Sequence, residues 1–524
     1  MLNDKRSPRQ RFSLLLLALL IGIGVLCRWV NLEHKVFWVD EVATALRVAG
    51  HTKAEVTAKL ADGSPHTPAD LLAYQQLQPQ HLLPDTVAAL QQSPEHAPLY
   101  FLLLRFWTQG FGSSVIAIRS FSVWCSLLLL VGVYWLCREL FRPERFEPVL
   151  SRWISGVAVA SMAISPLLIA YAQEARPYSL WLLTLVASGA ALLRALRLNR
   201  PRDWGLYALA LTASLYTSLL SIGVVIGHAV YGLISERRRE RSSSNRIRFW
   251  LMATLGSLAA LLPWLILVGQ QWHLLQTNTT WMRLPMPNLA RVVIWFYSLA
   301  IVYFDVPVIP HPRLVAAAEL VTATGVVAIL GYALYQLARD SSSPLSRRTA
   351  ALRTSPARVG VFVLALSLPV PLMLMLLDLI IDGRYSTAPR YFLPFHLGSQ
   401  LAVAYLLSTR LMDAKEKSQR LHWQGVAAFL ISVSLLSNVV HLNTSPRYLK
   451  NRNLHNIPIS ALVNQSEQPV ILAEADNTID LLSLSHSLQP STQIRILPPG
   501  AELGRFKSIS LNSIDSCSNL FLFN

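Results

Sequence analysis

Charge is what this sequence has least of. Only 14% of its 524 residues are Asp, Glu, Lys or Arg, against roughly a quarter in a soluble domain. Cysteine is almost missing. Cys27, Cys125 and Cys137 lie in apolar segments and Cys517 in the tail, with neither disulfide nor metal-ligand spacing. Also missing are a Walker phosphate loop, a G-x-S-x-G elbow, an H-E-x-x-H pair and a dinucleotide fingerprint after a strand. The chemistries those motifs carry are left without residues to perform them.

What the chain does have is long apolar runs. SLLLLALLIGIGVLC (13–27) and VAAAELVTATGVVAILGYAL (315–334) reach bilayer-spanning length, about 20 residues for a helix. Eleven spans stand out, near 12–30, 115–137, 153–170, 178–193, 204–219, 221–235, 249–269, 314–337, 359–380, 391–408 and 424–441. This is the pattern of an all-α polytopic membrane protein. The first run has no A-x-A-like cleavage site and reads as a retained helix. Two shorter stretches, 97–111 and 292–304, are either further crossings or interfacial helices, and the charge distribution favours the interfacial reading.

The formal charge of +17 raises the question of nucleic acid, and its distribution answers it. With eleven crossings and the N-terminus inside, the inner segments are 1–11, 138–152, 194–203, 236–248, 338–358 and 409–423. They hold 27 Lys and Arg against 10 acids, and everything else holds 19 of each. The whole excess sits on one side, as cytoplasmic loops require. The basic run SERRRERSSSNRIR (235–248) then reads as a membrane-surface anchor, and no nucleic-acid partner is expected. The chain is placed in the cell membrane, N-terminus cytoplasmic and C-terminus extracytoplasmic. Its outer face carries a first loop (31–96), short turns and a tail. Residues 1–441 form the membrane domain. The tail, 442–524, reads strand, helix, strand, a small α/β appendage.

Polar residues gather at that outer face. FWVDEVATAL (37–46) sets Asp40 and Glu41 at the start of an amphipathic helix, where carboxylates suit the helix dipole. Such a pair serves either as a cap or as a general base beside a lipid headgroup, where apolar surroundings raise its basicity. SPEHAPLYFLLLRFW (93–107) puts Glu95 and His96 just before a helix that Pro98 opens. His96 is structural, or it meets phosphate or metal. SPLLIAYAQEARPYSLWLL (165–183) crowds Gln173, Glu174 and Arg176 into one turn, with Tyr178 following. Ionisable groups at membrane depth point to function, and arginine's fork suits phosphate. The alternative is an internal Glu174–Arg176 pair. DGRYSTAPRYFLPFHLGSQ (382–400) adds Arg384, Tyr385, Arg390, Tyr391 and His396. Those arginines either snorkel to lipid phosphates or capture a specific one. Asp305 and Asp378 have no evident partner in the sequence.

Taken together, FWVDE (37–41), HAPLYFLLL (96–104) with GSSVIAIRSFSVW (112–124), SPLLIAYAQEARPYSL (165–180) and APRYFLPF (388–395) resemble the GT-C membrane glycosyltransferases. The likeness is to the family-39-like enzymes related to protein O-mannosyltransferases and the lipid A aminoarabinose transferase. It covers residues 37–395 and leaves the tail outside. It departs at Ala97–Pro98, where the family often has two prolines, and at His96, where the aminoarabinose branch has lysine.

The resemblance implies a hexosyl- or pentosyltransferase. It would move a sugar from a polyprenyl-phosphate donor, with inversion, to an extracytoplasmic protein, lipid or glycan acceptor. Asp40 resembles the catalytic base, Glu41 its support, and Glu174 the second acid. Arg176 and Arg390 resemble the donor-phosphate ligands, with Arg384 and His96 beside them. Gln173, Tyr178 and Tyr391 are the expected substrate contacts. No cofactor is expected, and a divalent metal is compatible but not indicated. The competing classes are a transporter or flippase, which would place its charged groups near the bilayer midplane, and an oligosaccharide polymerase or ligase.

Overall fold

Proline punctuates a chain that is otherwise mostly helix. The computed structural model describes residues 8–142, 146–237, 244–306, 312–342, 355–443, 452–453, 455–500 and 520–523. The helices run α1 (Pro8–Trp29), α2 (Val39–Ala49), α3 (Lys53–Leu60), α4 (Pro68–Ala73), α5 (Leu83–Gln91), α6 (Leu99–Phe111), α7 (Val115–Leu140), α8 (Pro148–Ala163) and α9 (Pro166–Ala172). Then come α10 (Tyr178–Leu198), α11 (Pro201–Thr217), α12 (Ser221–Arg237), α13 (Ser244–Gln270), α14 (Trp272–Asn278), α15 (Asn288–Ala300) and α16 (Arg313–Ser342). The last six are α17 (Ser355–Ser367), α18 (Pro369–Ile381), α19 (Leu393–Asp413), α20 (Lys417–Asn443), α21 (Asn456–Val463) and α22 (Thr478–Leu484). Four short strands are β1 (Pro65–His66), β2 (Val470–Glu474), β3 (Gln493–Leu497) and β4 (Leu520–Phe523).

Six helices are long and apolar enough to cross a membrane: α1, α7, α10, α13, α16 and α20. Two bent pairs raise the total among the described residues to as many as eight. Each of the eleven expected spans is helical, and two of them are bent. The span 153–170 breaks between α8 and α9 with a 59° bend, and 359–380 breaks between α17 and α18 with a 42° bend. Pro166 and Pro369 open the second helix of each pair, because proline has no amide to continue the first. The other three expected spans are α11, α12 and α19. α11 and α12 are each described over 17 residues, and α19 buries His396, Ser399 and Gln400.

The break after α8 frees carbonyls that must find donors. Arg28 of α1, fully buried, donates Nη1 to Ala163 O at 2.6 Å and Nη2 to Met162 O at 3.1 Å. Asn438 of α20 donates Nδ2 to Ile164 O at 2.8 Å. Gly24 lets the helices approach so closely, since a Cβ there would collide with the Ala163 carbonyl.

Where α7 and α10 end, ion pairs hold the bundle. Arg197 Nη2 lies 2.8 Å from Glu139 Oε1, Arg194 Nε 2.7 Å from Asp203 Oδ1, and Arg246 Nη1 3.2 Å from Glu236 Oε1. Residues 238–243, within the basic anchor, lie outside the described residues. The opposite end carries α2 to α6 and the appendage.

The appendage has the expected strand, helix and strand in β2, α22 and β3. β2 pairs in parallel with β3, Val470 opposite Gln493, and with β4 on its other edge. β1, a piece of the first long loop, pairs antiparallel with β3, so the sheet order is β1-β3-β2-β4. α22 buries Ile479, Leu481, Leu482 and Leu484 and packs on α2.

Candidate active site

The site is built on α2. Its apolar positions Val42, Ala45, Leu46 and Ala49 are buried on one face at helical spacing. Asp40 and Glu41 occupy the first turn, where exposed amides favour carboxylates. The helix stops at Gly50, whose φ of 92° is left-handed. Its bare Cα also admits α5, because a Cβ there would lie 2.8 Å from that of Asp85.

Asp40 is about a third exposed, and two guanidiniums from distant segments close on it. Its Oδ2 stands 3.7 Å from Arg176 Nη2 and 3.9 Å from Arg390 Nη1. Arg176 also donates Nη1 to the Asp40 carbonyl and to Thr44 Oγ1, each at 3.1 Å. Burial works against the charge of Arg176, but Tyr178 and Asp40 outweigh it and the group ends above its ordinary value. Arg390 behaves alike: burial opposes its charge, and Tyr178, Tyr391 and Asp40 more than offset it.

Glu41 points the other way and is fully buried. Arg119 of α7 grips it bidentately, Nε to Oε1 at 2.8 Å and Nη2 to Oε2 at 2.7 Å. Glu41 Oε1 also accepts the Ala175 amide at 2.8 Å. The carboxylate therefore ties α2 both to α7 and to the turn that carries Arg176. Arg119 spends its remaining donors on the carbonyls of Leu32, Lys35 and Val36. It is a bracket for the whole entry to α2.

A third cation borders the cluster. Arg47, two turns after Asp40 on the same face of α2, donates Nε to Ser93 Oγ at 2.9 Å and lies 3.9 Å from Glu95 Oε1. Burial lowers its pKa to about 10, against the pull of Glu95, so it stays charged at neutral pH. His96 Nε2 sits 3.7 Å from the same Glu95 oxygen. Burial, then the charges of Arg47, Arg176 and Arg390, hold this imidazole well below its ordinary pKa. Held this way, the ring is a neutral hydrogen-bonding group beside the three arginines.

The other expected residues divide. Tyr178 and Tyr391 each lie under a guanidinium, Arg176 at 5.8 Å and Arg390 at 5.3 Å from the ring centre. Glu174 is buried, and its carbonyl accepts the Arg176 amide at 2.8 Å. Gln173, expected at the substrate, donates its amide to the carbonyls of Cys27 and Val30, both at 2.8 Å, closing the end of α1. Arg384 donates Nε to the Trp281 carbonyl, and the guanidiniums of Arg384 and Arg390 both lie over that indole. His396 is buried within α19.

The two unassigned acids acquire partners. Asp378 accepts the Tyr385 and Ser386 amides and the Ser386 hydroxyl, fixing the loop of Arg384 and Arg390. Asp305 pairs with His441 at 3.0 Å and accepts the Tyr297 hydroxyl at 3.0 Å. Arg47 and Arg119 went unremarked in the sequence, yet each left a signal. Asp40, Thr44 and Arg47 fall at i, i+4 and i+7 of one helix, and Arg119 is a lone charge in an apolar run. Among the described residues no three of His, Cys, Asp and Glu come together as a metal site.

Residues 95–267, roughly a third of the chain, match the family described as dolichyl-phosphate-mannose-protein mannosyltransferase. No curated protein matches. Two crystal structures of ArnT from Cupriavidus metallidurans are similar at a TM-score of 0.46. One, bound to undecaprenyl phosphate, is 13% identical, covering 93% of this chain and 87% of that one. The other, in the apo state, is 12% identical, covering 95% and 91%.

Proposed function

We propose that this protein is a multi-pass membrane glycosyltransferase. It moves a sugar from a polyprenyl-phosphate donor to an acceptor on the extracytoplasmic side, with Asp40 as base and Arg176 and Arg390 as donor-phosphate ligands. The observation that carries the reading is the Asp40 carboxylate between those two guanidiniums, with the match of residues 95–267 to a lipid-phosphate sugar transferase family beside it.

The geometry suits one displacement. Donor phosphate enters against Arg176 and Arg390 and relieves Asp40 of its ion pairs. Asp40 takes the acceptor hydroxyl's proton as that oxygen attacks the anomeric carbon. The bond from that carbon to the phosphate oxygen breaks, and the lipid phosphate leaves as an anion stabilised by both arginines. Fixed charges of this kind supply several kcal/mol in a site poor in water. Attack opposite the leaving phosphate inverts the anomeric centre. Glu41 and Arg119 hold Asp40 in place rather than touching substrate.

The transporter reading is less favoured, because the charged residues cluster where α7 and α10 begin rather than halfway along them. The decisive experiment incubates purified protein with a panel of polyprenyl-phosphate sugars and candidate acceptors and measures free lipid phosphate. Release by wild type and none by Asp40→Asn supports the proposal. No release with any donor rejects it.

A further inference from the structure

The chemistry proposed for Asp40 gives the appendage no task, yet appendage side chains reach the helix that carries this carboxylate. α2 begins without a side-chain cap of its own. Its first amide, that of Val39, donates instead to Asn453 Oδ1 at 3.0 Å, across 414 residues of chain. Asn453 holds a φ of 66°, a left-handed conformation that asparagine tolerates better than most residues. Its Nδ2 donates to Asp480 Oδ1 at 3.0 Å. Arg452 grips the same carboxylate, Nε to Oδ1 at 3.2 Å and Nη2 to Oδ2 at 2.9 Å. Just before α2, the Phe37 carbonyl accepts Ser483 Oγ of α22 at 2.6 Å, and Ser483 accepts Asn456 Nδ2 at 3.0 Å. The Phe37 ring lies 4.8 Å from that of His486.

We infer that the appendage is a positioning part of the transfer site: Asn453, held by Asp480, caps α2 from outside the membrane domain and fixes where Asp40 points. The inference rests on Asp40 being the base. A helix start is satisfied by a side-chain acceptor, usually its own N-cap residue; here Trp38 offers none and the appendage provides it. The rest of α2 is secured elsewhere, by Glu41 on Arg119, by Val42 and Leu46 in the core, and by the turn at Gly50. Losing Asn453 therefore frees the Val39 amide and loosens residues 38–40, ahead of the Glu41 anchor, without unfolding the helix. Arg452, in the same strap, also lies within electrostatic reach of Asp40.

The test uses the full chain in detergent or nanodiscs. Asn453→Ala is expected to lower kcat about tenfold or more, since a displacement near 1 Å costs on the order of a hundredfold. Donor KM stays within about twofold, the signature of an interaction lost at the transition state rather than in donor binding. Amide exchange at residues 38–40 accelerates. The swap Asn453→Asp with Asp480→Asn keeps an acceptor facing the Val39 amide and a donor–acceptor pair behind it, at the cost of one Arg452 contact to residue 480, and recovers most of kcat. If Asn453→Ala does not accumulate, Ser483→Ala removes the Phe37 bond and is read in the same ways. Unchanged exchange at 38–40, or a kcat loss the swap does not recover, overturns the inference. Wild type that transfers no sugar from any donor rejects the functional reading instead, and the exchange rates then judge the cap alone.

Discussion

Replacing Glu41 with alanine tests how the site is held. Glu41 and Arg119 are at most 1% exposed, so neither recovers hydration when its partner is removed. Breaking one side of a buried pair costs roughly 3–5 kcal/mol, because the other charge stays buried. Arg119 keeps three carbonyl acceptors, while the Ala175 amide loses its partner. A net loss of about 4 kcal/mol follows, about a thousandfold in the folding equilibrium. Asp40 is untouched in this variant, yet its helix loses the tie to Arg119 and to the turn of Arg176. Transfer is expected to drop about a hundredfold even at temperatures where the protein stays folded. Denaturation midpoints and single-turnover rates in detergent measure both effects. Glu41→Gln, which retains an acceptor for the Ala175 amide, falls between wild type and alanine. In a cycle with Arg119→Met the two losses overlap, so the double variant costs less than their sum. Additivity within about 0.5 kcal/mol, or Glu41→Ala with wild-type stability and rate, would refute the bracket.

Asp40→Asn removes the proposed base and should cut sugar transfer by about 10²–10⁴-fold, while membrane insertion and lipid-phosphate binding persist; a rate near wild type removes Asp40 from that role. Arg176→Ala or Arg390→Ala each deletes a charged hydrogen-bond donor worth about 1.5–3 kcal/mol, so donor KM should rise more than acceptor KM in a two-substrate titration. Burial, helped by the charge of Arg119, pushes His486 down to about 4 from an ordinary 6.5. The unfolded chain therefore takes up a proton that the fold refuses, and stability present above pH 6.5 is lost as pH falls toward 4. Thermal scans of His486→Gln between those values should show a shallower acid slope than wild type, and identical slopes would contradict the assignment.

How much of this was legible in the sequence depended on how far apart the partners lie. The paired acids and the crowded QEARP turn stand out because charge is rare in apolar surroundings, and both meet in the structure. The strand, helix and strand of the appendage were readable from local pattern. Asp378 was not, because its partners are backbone amides that no side-chain pattern marks. Arg119 and Glu41 are 78 residues apart, and one sequence alone gives no way to match them. β1 is two residues long, too short for any alternation to show. The bends inside two of the spans were hidden for a related reason. Hydropathy averages straight across Pro166 and Pro369, whereas the missing amide bends the chain there.

The way α1 meets α8 bears on how this protein tolerates engineering. Its guanidinium finishes another helix, and its glycine is the contact point, so the first segment acts as a fitted component rather than a hydrophobic tether. A chimera that trades it for an unrelated single-pass anchor of equal length would insert but leave the α8 terminus unfinished. Only replacements that retain both Gly24 and Arg28 should yield a working molecule.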